Sequence, residues 1–261
     1  MTSMSKTASD FLSSASLQKH QPTTQTGTER AISLLGTAIV LTSFFFVVFP
    51  MVDLAVSRWF ARGSVFVLAE QPFLKAVRNV SRGSVYYIIG AMLLLLGLNL
   101  ALPRKYRFCP LHKPLFVLLS FAAGPVIIVE TLKALIGRAR PRHLLEFGGS
   151  ADFTPVWQFA ATCARNCSFP SGEASGAAAA LSLLVFIPEK LRSIAALVLT
   201  PFLAVIALNR VLFGAHFLSD VMLGWLLTLF AMVLIWRWLL PQQQRIDAFL
   251  TRARVVPARR R

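Results

Sequence analysis

Acidic residues are scarce in this chain: 11 Asp and Glu stand against 27 Lys and Arg, a formal net charge of +16 over 261 residues. In a soluble protein that excess would suggest nucleic acid as a partner, but the apolar blocks described below exclude a soluble nucleic-acid binder. Cysteine is scarcer still, at positions 109, 163 and 167, so at most one intramolecular disulfide can form. Residues 1–29 have little apolar content ahead of Arg30 and are rich in Ser, Thr and Gln. They hold no hydrophobic region of the kind a signal peptide needs, and a disordered tail is expected there. No cluster of metal-ligating side chains is visible either, and nothing in the sequence requires a metal or cofactor.

What is abundant is apolar. The chain is 56% hydrophobic, with a mean hydropathy of +0.63, and its apolar residues fall in blocks rather than alternating. That pattern predicts an all-α, polytopic membrane protein with one membrane domain over residues 30–240, followed by a basic cytoplasmic tail over 241–261. Six segments are expected to cross the bilayer, at about 31–52, 84–103, 114–136, 172–188, 193–210 and 217–240. The fourth is short and Ala-rich, and its Gly172 and Gly176 would permit close helix packing.

An even number of crossings puts both termini on one side. The tail, the even loops and the C-terminus carry 16 Lys and Arg, against 11 on the other side. The positive-inside rule therefore makes the termini cytoplasmic. The cluster Arg252, Arg254, Arg259, Arg260 and Arg261 suits either that topology or anionic lipid.

Between the last two apolar runs lies Asn209-Arg210-Val-Leu-Phe-Gly214-Ala-His216-Phe-Leu-Ser219-Asp220. Ionisable residues at a membrane edge are costly without a partner or a task. His216 and Asp220 are four apart, so on a helix the carboxylate can reach one imidazole nitrogen and leave the other free as nucleophile or base. Gly214 would let the backbone break and bring Arg210 round to the same place. Three polar residues snorkelling at a helix end is the plainer alternative.

Two more stretches fall on the same, outer side. Lys133 and Arg140 are seven apart, two helical turns, with Pro141 expected to end their helix. As a lone pair they would be interfacial anchors. Phe169-Pro170-Ser171-Gly172-Glu173 opens the fourth segment, with Ser171 a good N-cap and Gly172 giving a ligand access to the backbone. Taken together, three cations, a helix N-terminus and an oriented imidazole suit a phosphoryl group. Glu130 is a helix-face partner for Lys133. The third loop, 137–171, is long and holds Cys163 and Cys167 on the outer side, where a disulfide between them is expected.

These three blocks resemble the tripartite signature of the type 2 phosphatidic acid phosphatase superfamily: Lys133…Arg140-Pro141, Pro170-Ser171-Gly172, and Arg210…His216…Asp220. The resemblance implies that His216 becomes a phosphohistidine, that Asp220 orients it, and that Lys133, Arg140, Ser171, Gly172 and Arg210 bind phosphate. It implies no cofactor, and a phosphorylated lipid as substrate at the outer face of an inner membrane. Two positions depart from the pattern. Asn209 stands where Ser is usual, and Glu173 where the family places the His that protonates the leaving oxygen. Glu173 can be a tuned acid, or the leaving group can need little acid, or turnover can be impaired; His143 is a substitute acid. The implied activity is release of phosphate from lipid A, phosphatidylglycerophosphate, phosphatidic acid or undecaprenyl pyrophosphate, with a weak inclination to lipid A. A phosphotransferase, or a phospholipid-binding or transport module, is the alternative. The residues say nothing of oligomeric state.

Overall fold

The computed structural model describes residues 21–102, 106 and 109–252. Helices dominate, and among the described residues no strand forms beyond two isolated bridges. Five helical stretches are long and apolar enough to cross a membrane: Thr26–Val48, Pro72–Ala101, His112–His143, Glu189–Leu212 and Leu218–Asp247. Their outward side chains, among them Leu34, Val40, Tyr86, Leu197 and Val205, are exposed and apolar, as a lipid-facing surface requires.

Helix α1, Gln21–Val48, starts inside the stretch expected to be a disordered tail. Its polar first turns continue the apolar helix, and Glu29 there pairs with Arg237 at 3.0 Å. Residues 1–20 lie outside the described residues. A short helix absent from the expectations follows: α2, Met51–Phe60, between the first two long apolar helices. It buries Asp53, Leu54 and Ser57, which share one face at i, i+1 and i+4, and leaves Trp59 exposed. Helix α3, Pro72–Ala101, begins well before the apolar run at 84, because Pro72 at the first helical position is preset for a helix start.

Helix α4, His112–Phe121, runs through a π turn, Ala122–Ile128, into α5, Val129–Ile136. Pro125 in that turn has no N–H to donate, which accounts for the widened ladder. Gly124 lies so close to the sixth crossing that a Cβ there would be 2.5 Å from Thr228 Cγ2. The chain leaves α5 at Gly137, with φ of 61°. Lys133 and Arg140 are therefore not on one helix: the left-handed glycine, rather than Pro141, ends it.

Helix α6, Gly172–Ala180, passes into a 3-10 stretch, Leu181–Phe186. At 1.5 Å per residue this segment spans only roughly 22 Å, short of the ~30 Å hydrocarbon core. It is the centre of the bundle rather than a lipid-facing wall. Ala174 through Ala179 are buried, and α6 packs on α7, Glu189–Leu212, and α8, Leu218–Leu239. The small side chains make that close approach possible. The expected C-terminal tail begins instead with an amphipathic helix, α9, Gln243–Arg252; residues 253–261 lie outside the described residues.

Candidate active site

One end of the bundle collects the α2 face, the start of α3, the end of α5, the loop 137–171, the start of α6 and the α7–α8 turn. His216 sits in that last turn. Helix α7 stops at Leu212, and Gly214 takes φ of 57° with the Phe66 ring against it, where a Cβ would lie 2.4 Å from Phe66 Cε2. The reversal brings the amides of Ala215 and His216 onto the carbonyl of Arg210, at 3.2 and 3.3 Å. Arg210 and His216 thus meet because the helix breaks between them.

The imidazole is 1% exposed. Its Nδ1 lies 2.7 Å from the backbone carbonyl of Ser168. A carbonyl only accepts, so Nδ1 carries the proton and Nε2 keeps its lone pair. Asp220 Oδ2 is 3.8 Å from Nδ1, beyond hydrogen-bond reach. The expected pair of His216 and Asp220 is thus an ion-pair contact, while the hydrogen bond at Nδ1 goes to the Ser168 carbonyl. The reason lies in what Asp220 already holds. Oδ2 accepts from the Phe217 amide at 2.8 Å and from Ser168 Oγ, and Oδ1 accepts from Arg138 Nη1 at 2.6 Å. Asp220 caps α8 and fixes Ser168, and Ser168 fixes the imidazole.

Behind Asp220 is a dry polar layer. Arg138, 0% exposed, donates to Ser219 Oγ at 2.9 Å, to Asp53 Oδ2 at 2.9 Å and to the Thr154 carbonyl at 2.8 Å. Its guanidinium also stacks over Phe217 at 4.1 Å. Asp53 reaches in from α2 and accepts from the Ser219 amide at 2.9 Å. Burial pushes the Asp53 carboxyl up from its ordinary value, opposed by Arg138 and by the Ser219 donors. Two carboxylates share one guanidinium here, a net negative charge that complements a cation forming on His216.

The other side of the imidazole is a cationic pocket. His216 Nε2 is 3.5 Å from Glu173 Oε2. That carboxylate is held by Arg82 at 2.6 Å and Arg210 at 3.2 Å. Arg210 is 3% exposed, yet its Nε and Nη1 make no aligned hydrogen bond. Arg140 donates to Asn166, to its carbonyl at 2.9 Å and to its side-chain oxygen at 2.7 Å. Asn166 has φ of 58°, within the small loop that the bonded Cys163 and Cys167 close, their Cα atoms 5.5 Å apart. Lys133 pairs with Glu130 at 2.9 Å, and its Nζ would lie 3.6 Å from a Cβ on Gly172. Ser171 caps α6, its Oγ accepting from the Ala174 amide at 3.3 Å.

The fold thus gathers Lys133, Arg140, Ser171, Gly172, Glu173, Arg210, His216 and Asp220 at one place. His143 is exposed, and its Nε2 accepts from Arg142 at 3.3 Å. Sequence reasoning missed Asp53, Ser168, Ser219, Arg82 and Asn166, and gave Arg138 no role. Asp53 alone carried a signal, an acid inside the apolar run around 50–56.

A sequence model of the PAP2 superfamily matches residues 113–244. A lipid A 4'-phosphatase of Rhizobium leguminosarum is 44% identical over 107 residues, which cover 41% of this chain and 46% of that one. A lipid A 4'-phosphatase of Francisella tularensis subsp. novicida is 28% identical over 189 residues, covering 68% and 81%. The chain therefore spans less than half the length of the Rhizobium relative it matches. Among solved structures, a transmembrane PAP2-type phosphatidylglycerolphosphate phosphatase from Bacillus subtilis has the same fold, with a TM-score of 0.51, 19% identity, and coverage of 79% of this chain and 94% of that one.

Proposed function

The chain belongs to the PAP2 superfamily, and from that premise we propose that it is a membrane-embedded phosphatase that removes a phosphate monoester from a lipid through a phosphohistidine on His216. The observation that carries this reading is the orientation of the ring: Nδ1 donates to the Ser168 carbonyl at 2.7 Å, which turns Nε2 to the Glu173 carboxylate at 3.5 Å, and a phosphate that draws Arg210 away from Glu173 frees Nε2 to attack. A binding module has no use for a nucleophile held this way. The names of the relatives support a lipid A phosphate as the substrate.

In this reading the phosphate enters between Nε2 and the cations. Arg210 offers the N–H groups that make no aligned hydrogen bond, exchanging its ion pair with Glu173 for the phosphate, and Lys133, Arg140 and the first amides of α6 take the remaining oxygens. Nε2 attacks phosphorus as the bond from phosphorus to the lipid oxygen breaks. The positive charge on the imidazole is offset by the Asp53–Arg138–Asp220 layer behind it. Water then attacks phosphorus, the N–P bond breaks, and inorganic phosphate leaves.

Glu173 is the proton carrier. As an ion-paired carboxylate it accepts the proton of the attacking water. Once paired again with Arg82 and Arg210 it gives that proton up to solvent; when the next phosphate, bound as its monoanion, takes Arg210 from it, the carboxylate draws the proton of that phosphate and passes it to the departing lipid oxygen. The site faces the outer side of a bacterial inner membrane, with both termini in the cytoplasm, as the distribution of Lys and Arg supports.

The test is phosphate release by the detergent-purified protein from lipid A, phosphatidylglycerophosphate, phosphatidic acid and undecaprenyl pyrophosphate, with EDTA throughout and His216→Ala as control. Release from lipid A that persists in EDTA and vanishes in the variant is expected. No release from any of the four would overturn the reading.

A further inference from the structure

The cations at this end of the bundle outnumber what one phosphate can use. A phosphoryl group presents three oxygens to the protein, and Lys133, Arg140, Arg210 and the α6 amides already supply donors for them. Three more guanidinium groups stand at the rim. Arg78 and Arg82 are one turn apart on the same face of α3. The Arg78 guanidinium lies 5.6 Å from the Phe213 ring centre, and that of Arg210 lies 5.4 Å from the same ring. The Arg142 amide donates to the Gly214 carbonyl at 3.0 Å, which ties its exposed side chain to the turn next to Phe213.

These rim groups lack compensation. Arg78 donates to the neutral Asn79 side chain at 3.1 and 3.2 Å. Arg142 donates to His143. Among the described residues no carboxylate pairs with either, and Glu173, which holds Arg82, is shared with Arg210. Like charges one helical turn apart, and a third facing them, destabilise a surface unless an anion joins them. Arg82 and Arg142 are exposed and Arg78 half-buried, beside the buried pocket of Arg210 and His216.

We propose that Arg78, Arg82 and Arg142 form a second anion subsite, adjoining the phosphate pocket, which binds a further phosphate or carboxylate borne by the same lipid close to the phosphate that is removed. The proposal rests on the phosphatase reading in taking the pocket at His216 as the place of the departing phosphate. It adds that the substrate is doubly anionic over a short distance, and that selection among lipids is made on the α3 side of the site.

The experiment measures binding, so that it does not depend on turnover. His216→Ala protein in neutral detergent micelles is titrated with phosphatidic acid and with phosphatidylglycerophosphate of the same acyl chains. The second lipid carries a phosphodiester one glycerol away from its terminal phosphate. It is expected to bind about tenfold more tightly, the scale of one additional charge-assisted contact. Adding Arg78→Gln and Arg142→Gln together is expected to erase that preference and leave the Kd for phosphatidic acid unchanged.

Equal affinities before the arginines are changed would overturn the subsite, as would a double variant that weakens both lipids alike. A third arm adds phosphatidylglycerol to the micelles. If it raises the affinity for phosphatidic acid to match, the second anion comes from a neighbouring lipid, and its placement on the substrate is wrong. The lipid preference in His216→Ala, together with no phosphate release by the wild-type protein, would sink the hydrolase reading alone.

Discussion

The two sides of the His216 ring are built on opposite terms. Behind it, Arg138 and Asp220 are fully buried, and every side-chain nitrogen of Arg138 and both oxygens of Asp220 have a partner within 3 Å. In front of it, Arg210 is almost as buried but leaves Nε and Nη1 without aligned partners, and Glu173 is drawn toward two guanidinium groups at once. A satisfied buried network is rigid, whereas an unsatisfied one gains by taking up a ligand. The contrast teaches that the polar residues at this end divide by role rather than by residue type. Arg138 and Arg210 are both buried arginines, yet one has every side-chain nitrogen hydrogen-bonded and the other does not.

The division can be broken most sharply at the ring itself. His216→Ala should abolish phosphate release, by on the order of 10⁶-fold if the nucleophile acts as other covalent nucleophiles do, while leaving the thermal unfolding temperature in detergent nearly unchanged. Next comes the back layer. Arg138→Met leaves Asp53 and Asp220 buried without their cation, and a loss of about 3–5 kcal/mol of stability is expected. A variant that unfolds at the wild-type temperature would show that the layer is no strut.

On the front, Glu173→Gln should slow release from a lipid phosphomonoester by roughly 10²–10⁴-fold. Much less is expected with undecaprenyl pyrophosphate, whose leaving group needs little protonation. Equal losses on both would remove Glu173 from the proton path. Arg82 is half-exposed, and Arg82→Gln should change stability by less than ~1 kcal/mol while raising KM, the reverse of the pattern at Arg138.

The smallest effect is a pH dependence at Asp53. Its carboxyl is held above the ordinary value of 3.8, so its contribution to folding is greatest in acid and is lost as pH rises through the folded value. The stability of Asp53→Asn, followed by thermal unfolding, should therefore vary less with pH on the acid side than that of the wild type.

Much of the front layer was legible in the sequence and almost none of the back layer was. Lys133, Arg140, Ser171, Gly172, Arg210 and His216 sit in short blocks whose residue types state their chemistry. The back layer draws Asp53 from α2, Arg138 from the end of α5, Ser168 from the long loop and Ser219 from α8. No local pattern joins residues so far apart in the chain. Even the pair at 216 and 220, whose spacing suits one helical face, meets at 3.8 Å rather than in a hydrogen bond, because His216 lies before the first turn of α8 rather than within it.

The sequence by itself determined that the chain is a bundle of apolar helices, since period and length alone decide what can lie in hydrocarbon. Its three short motif blocks also picked out Lys133, Arg140, Ser171, Gly172, Arg210 and His216 as candidates that the fold then gathers at one end of the bundle. Only the tertiary structure decided that the short Ala-rich segment is the core of the bundle, that the carbonyl of Ser168 is the partner of His216 Nδ1, and that Arg138 is fully hydrogen-bonded while Arg210 is not. Those outcomes depend on which neighbours satisfy each buried polar group, and neighbours are fixed by packing between segments.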